Sequence, residues 1–204
     1  MLFRHNIFSP KTVTNRSTRG FGLVELMVSI SIMTLVSTVI LVKNRSFNNA
    51  LLLRNQTYEI AFSLRQAQLL AVSGTREVGA TSNQYGIHFD VGSAPQNGQY
   101  RMFRDDGSNT GWYDSGDVTL GALGNLDARY IIQDIVDSNN NSLAGTALSV
   151  TFVRPNFDAL FRTSSGASVP GPVYIKVTPK DTSNYSAVPE RLVEITSTGQ
   201  ISVK

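Results

Sequence analysis

The chain contains no cysteine and only two histidines, His5 and His88, among its 204 residues. The absence of cysteine excludes disulfide bonds, thiolate metal sites and a cysteine nucleophile. Two histidines so far apart lack the partners that a histidine-ligated zinc site needs, and they leave little for histidine-dependent catalysis. The sequence also lacks a nucleophile elbow, a P-loop and a zinc-protease motif, so it does not indicate an enzyme.

Acidic residues are missing from the first 20 residues, which hold four of the 18 basic residues. Beyond residue 20, the remaining 14 basic residues face 15 acidic ones, so that part of the chain has a side-chain charge of −1. The basic character therefore belongs to a leader segment. The later cations are interspersed with acids and do not form the clustered basic footprint that nucleic-acid binding normally requires.

Charge is almost absent from residues 21–42, an apolar run that contains one ionisable residue, Glu25. A helix of this length reaches roughly 33 Å, enough to cross the ~30 Å hydrocarbon core of a bilayer. The four leader cations outnumber Lys43 and Arg45 beyond the run, which predicts that the leader stays in the cytoplasm and that residues 43–204 cross the membrane. The alternatives are a plain single-pass anchor and a secretory signal peptide. A signal peptide would have a core of about 7–15 residues followed by a small-x-small cleavage site.

Glu25 lies one helical turn after the bond between Gly20 and Phe21. A carboxylate within an apolar helix is costly, so such residues usually have a partner. Cleavage after Gly20 would place a new ammonium group at the start of the helix, where it could pair with Glu25 of a neighbouring subunit in a helical bundle.

The segment RGFGLVELM at residues 19–27 resembles the class III signal of type IV prepilins and type II secretion pseudopilins. In that family, a prepilin peptidase cuts after the glycine and methylates the new amine. The resemblance implies that Gly20 ends the leader, that Phe21 becomes the N-methylated first residue and that Glu25 serves in docking. It also implies three partners: the prepilin peptidase, membrane lipid before assembly, and other pilin or pseudopilin subunits that bind through the N-terminal helix. The expected location is the inner membrane, with the head periplasmic or extracellular, and then a pilus or pseudopilus.

The helical pattern continues beyond the apolar run. No proline occurs between Lys11 and Pro95 and no glycine between Gly22 and Gly74, which predicts one helix of ~50 residues that ends at Gly74. Its second half carries apolar residues at helical spacing, and we expect these to form core contacts with a sheet. The predicted stripe consists of Phe47, Leu51, Tyr58, Phe62, Leu69 and Val72.

Short β-like runs with turn signals follow the helix, and they predict an α+β fold in which a long N-terminal helix packs against an antiparallel β-sheet head, as in pilins. The predicted strands are residues 85–90, 99–104, 147–154, 173–179, 191–196 and 200–203. The turn signals are Asp106-Gly107 and Thr198-Gly199, the second closing a C-terminal hairpin. The predicted organisation is a leader (1–20), a transmembrane half-helix (21–42), an amphipathic half-helix (43–74) and a β-rich head (75–204).

The segments VTFVRPNFDALF and VEITSTGQISV resemble the two late strand motifs of minor pilins and pseudopilins of the GspH/FimT type. Some members of that group bind DNA through a Gly-Arg-x-Arg segment in the last hairpin. Here the equivalent residues 199–202 read Gly-Gln-Ile-Ser and lack both arginines. The leading hypothesis is therefore a structural minor pilin or pseudopilin. The alternative is a filament-tip binding module for DNA uptake, adhesion or a secretion substrate.

Residues 105–117 concentrate carboxylates of the kind that calcium prefers, although not in the EF-hand register. They are weak candidate ligands, and the alternative is a turn-rich solvated loop. No cofactor is predicted. The candidates are Asp105, Asp106, Asp114 and Asp117.

Two further features of the head have a functional and an ordinary interpretation. Arg101 and Arg104, together with Tyr100, Phe103 and Trp112, would form a stacking patch for DNA, or they would belong to a strand with a solvated face. His88 lies between apolar residues in a strand pattern, and it is interpreted as a surface or hydrogen-bonded strand residue.

Overall fold

The computed structural model describes residues 20, 22–73, 84–91, 98–106, 111–143, 145, 147–153, 157–180 and 190–204, except for the side chains of residues 42–46. The chain divides into two compact units, residues 1–43 and 44–204, which we describe separately. Helix α1 (Leu23–Ser73) begins in the first unit and ends in the second. The predicted helix end at Gly74 lies just outside the described residues.

Strands that follow α1 form two antiparallel sheets. The described strands are β1 (Tyr85–Asp90), β2 (Gln99–Arg104), β3 (Val118–Asn125), β4 (Tyr130–Val136), β5 (Ala147–Phe152), β6 (Ala159–Thr163), β7 (Ser168–Val169), β8 (Val173–Pro179), β9 (Arg191–Ile195) and β10 (Ile201–Val203). Their order is β3-β2-β1-β5-β6-β7 in the first sheet and β10-β9-β8-β4 in the second. The predicted α+β class is confirmed, but the strands form two sheets and not the single sheet that the sequence predicts.

The predicted strands at 85–90, 99–104 and 173–179 have the bounds of β1, β2 and β8. The other three predicted strands are confirmed with ends that differ by one or two residues. Strands β3, β4, β6 and β7 are not among the predicted strands. Strand β3 reads VTLGALGN, and its two glycines and alanine have low β-propensity. Strand β4 is apolar enough to predict, but its register shifts between Ile132 and Asp134, which interrupts the alternating pattern.

The face of α1 that joins the core is not the predicted one. The predicted stripe is exposed except for the half-buried Val72, with exposed fractions from 41% at Leu51 to 69% at Phe62. The expectation that these aromatic residues form the core is therefore wrong. The buried residues lie on the opposite face of the helix: Leu53, Thr57, Ile60, Ala61, Leu64, Ala67 and Ala71.

Two apolar stripes run along α1 at helical spacing, and the period alone does not decide which of them is buried. The buried stripe contains three small residues, Ala61, Ala67 and Ala71, whereas the exposed stripe carries the aromatic side chains. Large aromatic side chains at those positions would keep the strands away. The exposed residues Phe47, Leu51, Tyr58, Phe62 and Leu69 are called the outer stripe below.

The C-terminal hairpin of β9 and β10 is tied to α1. The predicted turn at Thr198-Gly199 is confirmed: Gly199 has φ +79°, and its N–H donates to the Thr196 carbonyl at 2.9 Å. The Gln68 side chain donates to the Gly199 carbonyl at 2.9 Å, and Arg65 donates to the Ile201 carbonyl at 3.2 Å. The turn thus serves as a contact between hairpin and helix.

Candidate functional site

The predicted processing site lies at the start of α1. Gly20 is exposed and precedes the helix, whose first hydrogen bond runs from the Leu26 N–H to the Gly22 carbonyl at 3.1 Å. Neither glycine has an atom of the described chain within 4 Å of the position that a side chain would occupy. Phe21 lies outside the described residues. The bond after Gly20 is thus adjacent to an exposed, uncrowded segment.

The helix surface from Leu23 to Leu41 is apolar on all sides and entirely exposed, with a mean hydropathy of 2.1. Its large apolar side chains have exposed fractions from 48% at Val36 to 76% at Leu23. Several hydroxyl side chains in this segment donate to the carbonyl four residues earlier, which removes polar groups from the helix surface. These donors are Ser29, Ser31, Thr34 and Thr38, at 2.7–2.9 Å.

Glu25 is the exception on this apolar surface. Its backbone carbonyl accepts the Ser29 hydroxyl, but within the described part of the chain its carboxylate has neither a hydrogen-bond donor nor a cation as a partner. An ionisable group in an apolar segment needs a partner, so that partner must come from outside this part of the chain.

Residues 15–41 match the family model of the prokaryotic N-terminal methylation motif. The chain carries a type IV prepilin-like signal. Together with the exposed apolar helix, this signal supports a membrane-anchored, type IV pilin-like protein, and it implies processing by a prepilin peptidase and assembly with other pilins. Comparison of the chain with curated proteins and with solved structures gives no significant match.

In the head, carboxylates among the candidate calcium ligands accept hydrogen bonds from backbone N–H groups. Asp105 is buried and accepts a hydrogen bond from the Gly111 N–H at 2.6 Å, while Asp117 accepts from the N–H groups of Asp106 and Asp114 at 3.0 and 2.8 Å. Burial of its carboxyl group is the main cause that raises the pKa of Asp105, and repulsion from the neighbouring aspartates adds to the increase. No group of three or more His, Asp or Glu side chains is arranged to hold a metal ion in the regions that the structure describes.

The arginines of the predicted DNA patch are bound to carboxylates. Arg101 donates to Asp90 at 2.7 Å and lies over the ring of Tyr113 at 5.2 Å. Arg104 is almost fully buried and pairs with Asp106 at 2.7 Å. Since neither guanidinium is a free charge, the two positions do not offer the phosphate-binding groups that DNA recognition needs.

The aromatic members of that patch do not form a surface either. Tyr100 and Phe103 are buried, with exposed fractions of 4% and 0%, and Trp112 is half-buried with its ring edge-on to His88. The interpretation as a DNA-binding patch is therefore wrong. Alternate side chains of β2 point to opposite faces of the sheet, and the aromatic side chains on both faces are buried. Exposure, which decides the matter, is not visible in the sequence.

His88 is a buried, hydrogen-bonded strand residue, which confirms the ordinary interpretation. Its Nδ1 lies 2.8 Å from the Ser149 hydroxyl, its Nε2 lies 3.5 Å from Asp90, and the rings of Trp112 and Tyr113 contact it at centroid distances of 4.9 and 5.1 Å. Serine, histidine and aspartate also form hydrolase triads. Here the Ser149 side chain is fully buried, and its hydroxyl oxygen also accepts a hydrogen bond from the Tyr113 N–H at 3.2 Å. The cluster therefore has a structural role, in which it connects the segment that contains Trp112 and Tyr113 to the sheet.

Protonation of His88 is expected to destabilise the head. Burial lowers the pKa of His88 from 6.5 to about 4, with Asp90 opposing the shift and Arg101 adding to it. Between these pH values the unfolded chain binds a proton that the folded chain does not. The free energy of unfolding should therefore fall as the pH drops from about 6.5 to about 4, by as much as about 3 kcal/mol, and the His88 contribution should then level off.

Urea unfolding of the full chain in mild detergent, followed by Trp112 fluorescence at several pH values, measures this contribution. His88→Gln should remove the part of the slope between pH 6.5 and 4 that comes from His88, because glutamine does not titrate. Parallel pH profiles for the two proteins would contradict the assignment.

Proposed function

We propose that this chain is a minor pilin or pseudopilin of the GspH/FimT type with a structural role. It is inserted into the membrane as a prepilin, cut between Gly20 and Phe21, methylated on Phe21, and assembled into a type IV pilus or a type II secretion pseudopilus. The observation that carries this proposal is the complete exposure of the apolar helix surface from Leu23 to Leu41, within the segment that matches the N-terminal methylation motif.

The proposed mechanism is an exchange of surroundings for this helix. Lipid covers the apolar surface in the membrane, and neighbouring helices cover the same surface in the filament, where close packing supplies the attraction. Glu25 gains a partner only in the second state, namely the N-terminal ammonium group of a neighbouring subunit. Subunit extraction would then be favoured over a return to lipid.

The proposed topology follows from the distribution of charge. Residues 1–20 form the cytoplasmic leader, residues 21–42 cross the inner membrane and residues 43–74 continue the helix into the head, which residues 75–204 complete outside the cytoplasm. The excess of cations before the apolar run supports this orientation.

The outer stripe supports an assembly role for the head part of α1 as well. Several large apolar side chains on one helix face are exposed together, with Phe62 at 69% and Leu69 at 67%. Contiguous exposed apolar surface on a folded protein usually marks an interaction site. We therefore propose that the outer stripe contacts other subunits of the filament.

Substitution of Phe62 by serine should test this role of the outer stripe. The variant should fold and reach the membrane normally, because Phe62 takes no part in the core, but its amount in filaments should fall several-fold. The measurement is the ratio of the protein in sheared filaments to that in membranes, in cells with a working assembly system. Leu160→Ser is the matched control, since Leu160 is an exposed apolar residue (40%) on β6, outside α1.

Equal filament fractions for wild type, Phe62→Ser and Leu160→Ser would contradict the contact. Gel shifts of the full chain with DNA at several salt concentrations test the tip-module alternative, because phosphate contacts give a steep dependence on salt. We expect no salt-dependent shift.

A further inference from the structure

A groove lies between α1 and strand β3 in the head. Its volume is about 570 Å³, within the range of ligand-binding clefts. Leu70 of α1, Tyr100 and Met102 of β2, and Leu120 and Leu123 of β3 provide its apolar walls. The groove is therefore large enough for several side chains of a bound polypeptide.

Strand β3 loses its register with β2 at the rim of this groove. Met102 faces Leu120 and Tyr100 faces Gly124, so residues 121–123 have no partner on β2. Strand β3 is also an edge strand, so within the described residues its backbone has no neighbouring strand on the side away from β2. Backbone donors and acceptors of this kind favour a partner that supplies a complementary backbone.

The edge also lacks the features that usually prevent strand addition. Strand β3 contains no charged residue and no proline, and most of its residues are exposed. The register shift includes Gly121, where φ is +71°, and bulges often occur next to binding sites.

The free charge in the groove is negative. The Glu59 carboxylate accepts a 3.3 Å hydrogen bond from Gln56, and no cation pairs with it in the part of the chain that the structure describes. The other charged side chain of the lining, Arg104, is neutralised by Asp106 at 2.7 Å. A bound segment would therefore be complementary if it carried a lysine or arginine.

We propose that this groove binds an extended polypeptide segment that pairs with the backbone of residues 121–123, places an apolar side chain against Tyr100 and Met102, and sets a basic side chain on Glu59. This binding activity belongs to the head and goes beyond the proposed assembly function. It does not depend on whether the chain enters filaments, so the two proposals fail separately.

The test uses the full chain in mild detergent and the fluorescein-labelled peptide Thr-Lys-Thr-Phe-Thr-Val-Thr, in which the lysine and the apolar side chains share one face of a strand. The expected result is saturable binding, measured by fluorescence anisotropy. A peptide with glutamate in place of lysine should bind roughly tenfold more weakly, as should one with N-methylated threonines, because each loses one class of contact.

Variants of Glu59 make the test specific. Glu59→Gln should reduce the preference for the lysine peptide, Glu59→Lys should reverse it, and Glu190→Gln should change nothing, since Glu190 lies outside the groove. Absence of binding, equal binding of all three peptides, or a preference unchanged by Glu59→Lys would overturn the proposal. Self-association that depends on Glu59 without peptide binding would overturn it too, and would assign the groove to a second copy of the chain.

Discussion

Replacement of Glu25 by glutamine is expected to leave membrane insertion intact and to reduce incorporation into filaments by at least about tenfold, an effect of 1.4 kcal/mol or more. Insertion depends on the apolar surface of α1, which the substitution does not change. Incorporation depends on the charge, because in the proposed filament the carboxylate meets the ammonium group of a neighbouring Phe21 within an apolar bundle. Removing one member of a buried ion pair leaves the other charge uncompensated.

The measurement compares carbonate-resistant membrane protein with protein in sheared filaments, in cells that assemble filaments from the wild-type chain. Ser29→Ala is a suitable control, because the Ser29 hydroxyl is bonded to the carbonyl of its own helix at 2.7 Å. Its filament yield should match that of wild type. A normal yield from Glu25→Gln would refute the docking role.

Substitution of Gly199 by alanine is expected to destabilise the head by roughly 3 kcal/mol. Gly199 has φ +79°, a conformation that side chains with a Cβ rarely adopt. The new methyl group would also overlap the Phe157 carbonyl oxygen and lie 2.6 Å from the Gln68 amide nitrogen. The turn would have to move, and its hydrogen bond to α1 would be lost.

Gly166→Ala separates the two causes. Gly166 has nearly the same backbone angle, φ +76°, but no described atom lies within 4 Å of its potential Cβ. This variant should lose only about 1 kcal/mol, which is the cost of the backbone conformation. Urea unfolding of both variants in mild detergent gives the comparison. Equal losses for the two alanine variants would show that the packing of the turn on α1 contributes nothing.

The N-terminal signal could be predicted from the sequence because its chemistry is contained in one contiguous stretch. A basic leader, Gly20, an aromatic residue and Glu25 in front of an apolar run are all adjacent along the chain. The strands β1, β2 and β8 were predictable for a similar reason, since β-branched and aromatic residues are concentrated within each of them. Local patterns of this kind need no knowledge of the tertiary structure.

Features that depend on distant contacts could not be predicted in this way. The orientation of α1 depends on which of its two apolar stripes packs against the strands, and the helical period is the same for both stripes. The contact of His88 with Ser149 joins residues 61 positions apart. The groove lies beside β3, a strand that its sequence does not predict because its glycines have low β-propensity.

The proposed function depends on one claim: the chain is cut between Gly20 and Phe21, and the shortened chain then assembles into a filament through its N-terminal helix. Mass spectrometry of the protein purified from cells with an active prepilin peptidase tests this claim most directly. The account predicts a chain without its first 20 residues that begins with N-methylated phenylalanine. Recovery of the chain from such cells with the leader still attached, or with an unrelated N-terminus, would contradict it.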